Sequence, residues 1–253
     1  EMSTAILRQL EGLGLEWDGP VVYPSPRLER YRAPLDSLER DGHVYWCGCT
    51  RKEIGDSATR PGHPAANRVY PGTCRNGMRS GAAPRALRVR THDRPIRFTD
   101  RMQGEIVQVV GREVGDFVAL RADGVFAYQL AVVVDDAEQG VTDVVRGADL
   151  LDSTARQIHL QQLLGLPTPR YLHLPVPTGS SGAKLSKQTG AKPLDDARPG
   201  ESLGDALAFL GLEIPPDSDR PRDLLSWARN RWSVRARATT TRFAAPAPSS
   251  YYT

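Results

Sequence analysis

No stretch of this sequence is long and apolar enough to cross a bilayer; the most apolar run, Leu130–Val134, is cut short by Asp135 and Asp136. No secretory leader is recognisable at the N-terminus. The three cysteines, all between Cys47 and Cys74, are too few and too clustered for a disulfide scaffold. A soluble, cytoplasmic protein is expected. Internal repeats, a Walker loop, a Ser/His/Asp arrangement and a glycosidase-like carboxylate pair are also missing, so the corresponding function classes have nothing to stand on.

What is present is an ordinary globular composition. With 253 residues, 40% hydrophobic and 25% charged, there is chain enough for one large domain or two modest ones, and for a sizeable core. The 33 Lys+Arg and 30 Asp+Glu give a net charge of +3, but the excess is local. Residues 229–253 carry Arg229, Arg231, Arg235, Arg237 and Arg242 and no acidic residue, which leaves 28 basic against 30 acidic elsewhere. The body is near neutral, and beyond Trp232 a basic, disordered tail is expected.

Ile6, Leu7, Leu10 and Leu13 recur at helical spacing, with Ser3 or Thr4 as the expected N-cap and Gly14 as the stop. Leu28, Tyr31, Leu35 and Leu38 form one face of a second helix, with a kink or late start at Pro34. Val44–Cys47 reads as a strand. Residues 55–85 are rich in Gly, Pro, Arg and Asn, a loop of unusual length that something must fix. Leu87–Arg90, Ile96–Phe98 and Glu105–Val110 read as strands, and Phe117–Leu120 and Gly124–Phe126 bracket an Asp123-Gly124 hairpin turn. A helix over Tyr128–Asp136, a buried strand over Val141–Val145, a helix over Ser153–Leu164 and a strand over Tyr171–Leu174 argue for a parallel sheet with crossover helices. Short helices follow at Ser202–Leu210 and Asp223–Trp232.

Three groups of residues carry candidate chemistry. Cys47, Cys49 and Cys74 flank the irregular loop and suit zinc, which normally takes four ligands. His63, Tyr70 and His43 are the candidates for the fourth, and on acidity alone His63 is preferred, because a phenol gives up its proton reluctantly. Gly182–Lys187 places Lys184 and Lys187 around Ser186 on a glycine-containing loop after a strand, where cations can follow charge on a transferred phosphate. Tyr128 opens a buried helix, and Arg146 ends a buried strand. A fork-shaped donor there suits a carboxylate ligand, the competing role being an ion pair with Asp149 or Asp143. His159 and His173 lie in apolar patterns and read as satisfied core or rim residues.

Four ordered segments, Phe126–Asp136, Gly140–Leu150, Tyr171–Pro175 and Gly182–Gln188, together resemble the glutamyl-Q tRNA(Asp) synthetases, paralogues of the glutamyl-tRNA synthetase catalytic core among class I aminoacyl-tRNA synthetases. The resemblance runs from about Ile6 to Trp232, and Lys184–Gln188 is similar to the class I KMSKS loop. It implies an α/β fold with a class I Rossmann-like parallel sheet, a small zinc-binding insertion and a short helical C-terminal part. The implied divisions are 1–43 (remainder of the N-terminal Rossmann half), 44–112 (zinc-binding insertion), 113–176 (second Rossmann half), 177–232 (signature loop and helical part) and 233–253 (tail).

The same resemblance implies a monomer with no membrane partner that activates L-glutamate with ATP and Mg²⁺ and passes it to the queuosine base of tRNA(Asp). Carried over by position, Tyr128 and Arg146 bind glutamate. Lys184, Leu185, Ser186, Lys187 and Gln188 bind ATP, with Lys184, Ser186 and Lys187 catalytic. Cys47, Cys49, Tyr70 and Cys74 ligate a structural zinc, which on resemblance alone displaces His63. The family's HIGH-type signature and its Arg-Ile-Glu-Asp segment have no counterpart in this sequence. One βαβ unit, ~30 residues or more, is expected to be absent ahead of Glu1, with impaired adenylate formation and an open strand edge. Two alternatives remain: a fragment of a general glutamyl-tRNA synthetase, and an inactive zinc-containing paralogue that binds tRNA.

Overall fold

The computed structural model describes residues 2–57, 69–179, 184–185, 193–215 and 219–234. Ser186, Lys187, Gln188, His63 and the basic tail beyond residue 234 lie outside them. Among the described residues the chain forms two compact units, residues 2–22 with the described chain from Pro175 onward, and Tyr23–Leu174.

The Tyr23–Leu174 unit is α/β. Its first helix, α2 (Leu28–Arg40), buries Tyr31, Leu35 and Leu38, spaced to fall on one face, and it runs through Pro34, which leaves one carbonyl in its opening turns without a donor. Gly42, at φ 73°, turns the chain into β1 (Val44–Cys47). After the short helix α3 (Arg51–Ser57), strand β2 (Ala86–Val89) pairs antiparallel with β1 on one side and with β5 (Phe117–Leu120) on the other, giving a three-stranded sheet. A second sheet has the order β4 (Gly104–Gln108), β3 (Ile96–Asp100), β7 (Arg170–Leu174), β6 (Asp143–Gly147). In it β3 and β7, and β7 and β6, run parallel, while β3 and β4 form an antiparallel hairpin.

The parallel pair β6–β7 needs a crossover, and α6 (Leu151–Leu164) supplies it. Ser153 to Gln161 are all buried in this helix, so it is enclosed on every side, polar residues included. It ends on Gly165 in the left-handed region (φ 64°), with the Leu166 N–H reaching back to the Gln161 carbonyl at 2.8 Å. Helix α5 (Tyr128–Glu138) buries Leu130, Val133 and Val134 against α6 and α2. These side chains, with Val89, Ala119, Leu160 and Tyr171, make one contiguous core.

The other unit contains α1 (Met2–Gly12), α7 (Pro199–Phe209) and α8 (Pro221–Arg229). Leu13 packs with Leu203, Leu207, Leu224 and Ala228 in a small separate core, and Asp196 accepts hydrogen bonds from Arg8 and Gln9.

Several local expectations need correcting. Ser3 and Thr4 sit inside α1 and do not cap it. Val110 begins a one-turn helix, α4 (Val110–Glu113), and does not end β4. The Asp123-Gly124 turn is present with Gly124 at φ 79°, but its return arm makes a single bridge from Phe126 to Leu120. The strand expected to be buried at Val141–Val145 is β6, at the sheet edge, with Val145 57% exposed. A run of valines reads as buried on both faces, but here the face carrying Val145 is open, and among the described residues β6 pairs along one edge alone. No helix among the described residues is long and apolar enough to cross a membrane.

Leu130 is wholly buried between α5 and its neighbours. Leu130→Ala is expected to lower the unfolding free energy by about 3 kcal/mol through lost burial plus a residual cavity. Urea titration followed by circular dichroism measures it; a change below about 1 kcal/mol would show that the site collapses around the smaller side chain.

Candidate active site and metal centre

Parallel pairing puts Arg146 of β6 directly beside His173 of β7, and β3 delivers Asp100 to the same end of the sheet. The Arg146 Nε–H points at His173 Nε2 (3.0 Å), and its Nη2 donates to Thr154 Oγ1 (2.9 Å) and Gln157 Oε1 (2.8 Å) on α6. Its Cζ lies 5.6 Å from the centre of the Tyr171 ring. Every one of these partners is neutral or accepts as a neutral group. The ion pair considered from the sequence does not form: Asp143 binds Arg170 at 2.7 Å, and no carboxylate lies within ion-pair distance of Arg146 among the described residues. A guanidinium has five N–H donors. Three are engaged, and the two on Nη1 have no partner among the described residues.

The same network reaches Tyr128. Gln157 Nε2 donates to Gln129 Oε1 (3.0 Å), and Gln129 Nε2 donates to Ser153 Oγ (3.1 Å), so the residue after Tyr128 is pinned to α6. Tyr128 itself is 38% exposed at the first turn of α5 and close enough to Tyr171 to bear on its ionisation. Asp136, two turns along α5, is held above its ordinary carboxyl range by burial, which the Arg146 charge partly offsets. Tyr128 and Arg146 therefore both lie near one buried tyrosine, and no carboxylate among the described residues pairs directly with the guanidinium.

Behind Arg146 sits Asp100, fully buried. Its carboxylate accepts from the Met102 N–H (3.0 Å), the Gln103 N–H (2.8 Å) and the His173 N–H (3.1 Å), and lies 2.7 Å from His173 Nδ1. Burial pushes its acidity the other way, but the hydrogen bonds from His173, Gln103 and Met102 outweigh it and hold the carboxyl below its ordinary value. His173, expected to be an unremarkable core residue, joins Asp100 to Arg146.

The cysteine cluster forms as expected. Cys47, Cys49 and Cys74 bring their sulfurs within 4.8 Å of one another, with 3.5 Å between Cys49 and Cys74. The Tyr70 hydroxyl is 3.3 Å from the Cys47 sulfur and 3.9 Å from that of Cys49, and accepts the Cys74 N–H at 2.9 Å. Tetrahedral zinc with Zn–S bonds of ~2.3 Å requires ligand sulfurs ~3.8 Å apart, so the donor set fits that geometry. His43 is not part of the cluster.

The thiols cannot ionise together unaided. The Cys47 thiol is lowered, because the Tyr70 hydroxyl, the Cys49 N–H and Arg88 outweigh the effect of burial. The Cys49 thiol is pushed up to about 12 by burial, then by Cys74 and by the Cys47 charge. A divalent cation would relieve that conflict. Arg88 stacks 3.9 Å over the Tyr70 ring, and buried Asp116 ties the surroundings together through Tyr45 Oη (2.6 Å), Arg75 Nη1 (2.6 Å) and the Thr91 N–H (2.8 Å). Tyr70 is fixed in turn by Gly115: at φ 76°, a Cβ there would lie 2.6 Å from the Tyr70 carbonyl oxygen.

Of the signature loop, Lys184 and Leu185 are described. Lys184 bridges back to Thr178, and the Leu185 N–H bonds the Pro177 carbonyl at 2.9 Å.

With this geometry in hand, the comparisons are decisive. The family model for the catalytic domain of class I tRNA synthetases (E and Q) matches residues 1–199. A glutamyl-Q tRNA(Asp) synthetase from Aromatoleum aromaticum is 54% identical over 232 residues, covering 90% of this chain and 72% of that protein. That from Thiobacillus denitrificans is 49% identical over 245 residues, 96% of this chain and 80% of that protein. The chain belongs to the glutamyl-Q tRNA(Asp) synthetase family. The fold is shared more widely: a glutamate tRNA ligase from Elizabethkingia meningosepticum, crystallised with its amino acid, aligns with a TM-score of 0.68 at 21% identity, over 96% of this chain and 57% of that one. The glutamate-tRNA synthetase of Elizabethkingia anophelis aligns with a TM-score of 0.69, also at 21% identity. The chain thus spans a little over half the length of these solved structures.

Within this member of the glutamyl-Q synthetase family, the residues that sequence reasoning missed are Asp100, Thr154, Gln157 and Gln129. The only signal was the density of polar residues in α6, which carries Asp152, Ser153, Thr154, Arg156, Gln157, His159, Gln161 and Gln162 although it follows a strand as a crossover helix.

Because the Asp100 carboxyl is depressed in the folded state, it contributes stability that is present at neutral pH and lost as pH falls through and below about 4. Asp100→Asn is expected to flatten the acid limb of the stability curve relative to the parent. Equal slopes in chemical denaturation between pH 3 and 5 would show that Asp100 does not contribute to it.

Proposed function

We propose that this chain activates L-glutamate with ATP and Mg²⁺ as a glutamyl adenylate and transfers the glutamyl group to the queuosine base of tRNA(Asp). The family and the names of its relatives support the reaction. The observation that carries the substrate is the Arg146 guanidinium, two of whose N–H groups have no partner among the described residues, near the Tyr171 ring that Tyr128 also approaches. A glutamate carboxylate matches both, since a charge-assisted hydrogen bond to a guanidinium is among the stronger polar contacts available. Tyr128, 38% exposed in the first turn of α5, suits the amino acid's remaining polar groups.

Activation needs little acid–base machinery. The glutamate α-carboxylate attacks the α-phosphorus in line, the bond to pyrophosphate breaks, and charge grows on the phosphoryl oxygens. Lys184, Ser186 and Lys187, with Leu185 and Gln188 in the same loop, would follow that charge. The mixed anhydride is then attacked by a hydroxyl of the queuosine base, releasing AMP. Cys47, Cys49, Tyr70 and Cys74 would hold zinc, which supplies a structural cross-link across the irregular loop.

Glutamate-dependent ATP–pyrophosphate exchange without tRNA tests the first half-reaction. Arg146→Ala is expected to raise the glutamate KM by about 100-fold or more with little change in the KM for ATP. An unchanged glutamate KM would remove Arg146 from the site. The impairment expected from the sequence is read in the same assay, by comparing this chain with one extended by the residues that precede the shared region in its longer relatives. Radiolabelled glutamate should appear on tRNA(Asp) bearing queuosine and not on tRNA(Asp) lacking it.

Metal analysis should find about one zinc per chain, and Cys74→Ser should lose it. Zinc retained in that variant would place the metal elsewhere.

A further inference from the structure

The glutamate reading assigns Arg146 a ligand but leaves open what holds the guanidinium in place to receive it. An arginine side chain has many rotamers, and one at a sheet edge loses considerable freedom when it is fixed. Here the fixing is done from one side only. Nη2 spends both hydrogens on Thr154 and Gln157, and Nε–H meets a ring nitrogen of His173 at 3.0 Å. That last contact exists only if His173 Nε2 is an unprotonated lone pair.

Asp100 determines whether it is. An ionised carboxylate only accepts hydrogen bonds, and an arginine Nε only donates. His173 lies between them, with Nδ1 2.7 Å from Asp100 and Nε2 3.0 Å from Arg146 Nε and 3.1 Å from Thr154 Oγ1, whose hydroxyl can share the same lone pair, and its ring is fully buried. One tautomer satisfies both neighbours: the proton on Nδ1, donated to Asp100, and the lone pair on Nε2, accepting from Arg146. Asp100 cannot swing away, because Met102 and Gln103 donate their backbone N–H groups to it at the end of β3 and the backbone N–H of His173 does the same. Carboxylate, imidazole and guanidinium thus form a line across three adjacent strands, β3, β7 and β6.

We propose that Asp100 and His173 are positioning residues for substrate recognition: through the His173 tautomer they set the plane of the Arg146 guanidinium, so that Nη1 alone is turned toward the glutamate carboxylate. This rests on the reading of Arg146 as a glutamate contact. Asp100 and His173 do not touch the substrate in this scheme. Their neutral acceptor on Nε leaves the arginine charge undiminished, which a second carboxylate in direct contact would not.

Two amide substitutions separate this role from a merely structural one. The shorter amide of His173→Asn reaches the Nδ1 position and keeps a donor for Asp100, but leaves Arg146 Nε without an acceptor. The longer amide of His173→Gln reaches the Nε2 position and restores that acceptor while giving up the bond to Asp100. Positioning predicts that His173→Asn raises the glutamate KM and the calorimetric Kd by about tenfold or more, with the ATP KM and the melting temperature near those of the parent, and that His173→Gln stays within about threefold. The reverse order, with Asn silent and Gln impaired, would overturn the proposal and leave His173 as a hydrogen-bond filler for Asp100.

Arg146→Ala distinguishes the two levels. If it abolishes glutamate binding while His173→Asn is silent, positioning fails and the substrate reading stands. If it leaves glutamate binding intact, the substrate reading fails and positioning falls with it. Should both His173 variants fail to fold, the ring ¹⁵N shifts of the parent protein decide: a protonated Nδ1 with a bare Nε2 supports the proposal, and a protonated Nε2 overturns it.

Discussion

A half-buried guanidinium that pairs directly with no carboxylate among the described residues is the constraint around which the Tyr23–Leu174 unit is arranged. Taking an arginine out of water costs several kcal/mol unless its donors are met. The usual remedy, an adjacent acid, would also cancel the charge. Here neutral acceptors are supplied instead, and two elements carry them to the site: Thr154 and Gln157 come from α6 and His173 from β7, with Asp100 on β3 behind it. This explains why α6 contains polar side chains at positions that would otherwise be apolar, and why Gln129 is buried in the first turn of α5. The parallel register of β6 and β7, which sets Arg146 against His173, is what allows the short chain of contacts to close.

The thiol cluster answers a different problem. Residues 69–85 contain few aliphatic side chains, so burial alone gives them little reason to hold one shape. Three thiols and the Tyr70 hydroxyl converge there. Around them the order is electrostatic: Asp116, buried beside the first sheet, accepts from Tyr45, Arg75 and Thr91, and the Arg88 guanidinium lies flat on Tyr70 while donating to the Asp116 carbonyl. The three-stranded sheet and the cluster are therefore joined through polar contacts to one aspartate.

Much of this was legible in the residues. Periodicity located α2, α5, α6 and β7 within a few positions, because their apolar residues recur at the spacing of the element they form. The cysteines announced their cluster by standing at either end of a stretch that could not fold by itself. Other features were invisible for identifiable reasons. Asp100 and His173 are 73 positions apart, and nothing in either neighbourhood signals that strands β3 and β7 bring them together. Valine runs look alike whether one face is covered or both, so the exposure of Val145 could not be read from composition. Tyr70 and His63 are both plausible ligands by spacing. The structure brings the Tyr70 hydroxyl into the cluster, and His63 lies outside the described residues.

Gly115 has an effect far larger than its size. The Tyr70 backbone fills the space where any other residue at 115 would keep its first side-chain carbon. A methyl group there would lever the segment carrying the phenol away from the start of β5, widening the gap between oxygen and sulfur at a point 45 residues distant in sequence. The fourth corner of the thiol cluster is thus held by an atom that is missing, and the tolerance of that corner to change is set at a position that carries no donor, charge or apolar surface of its own.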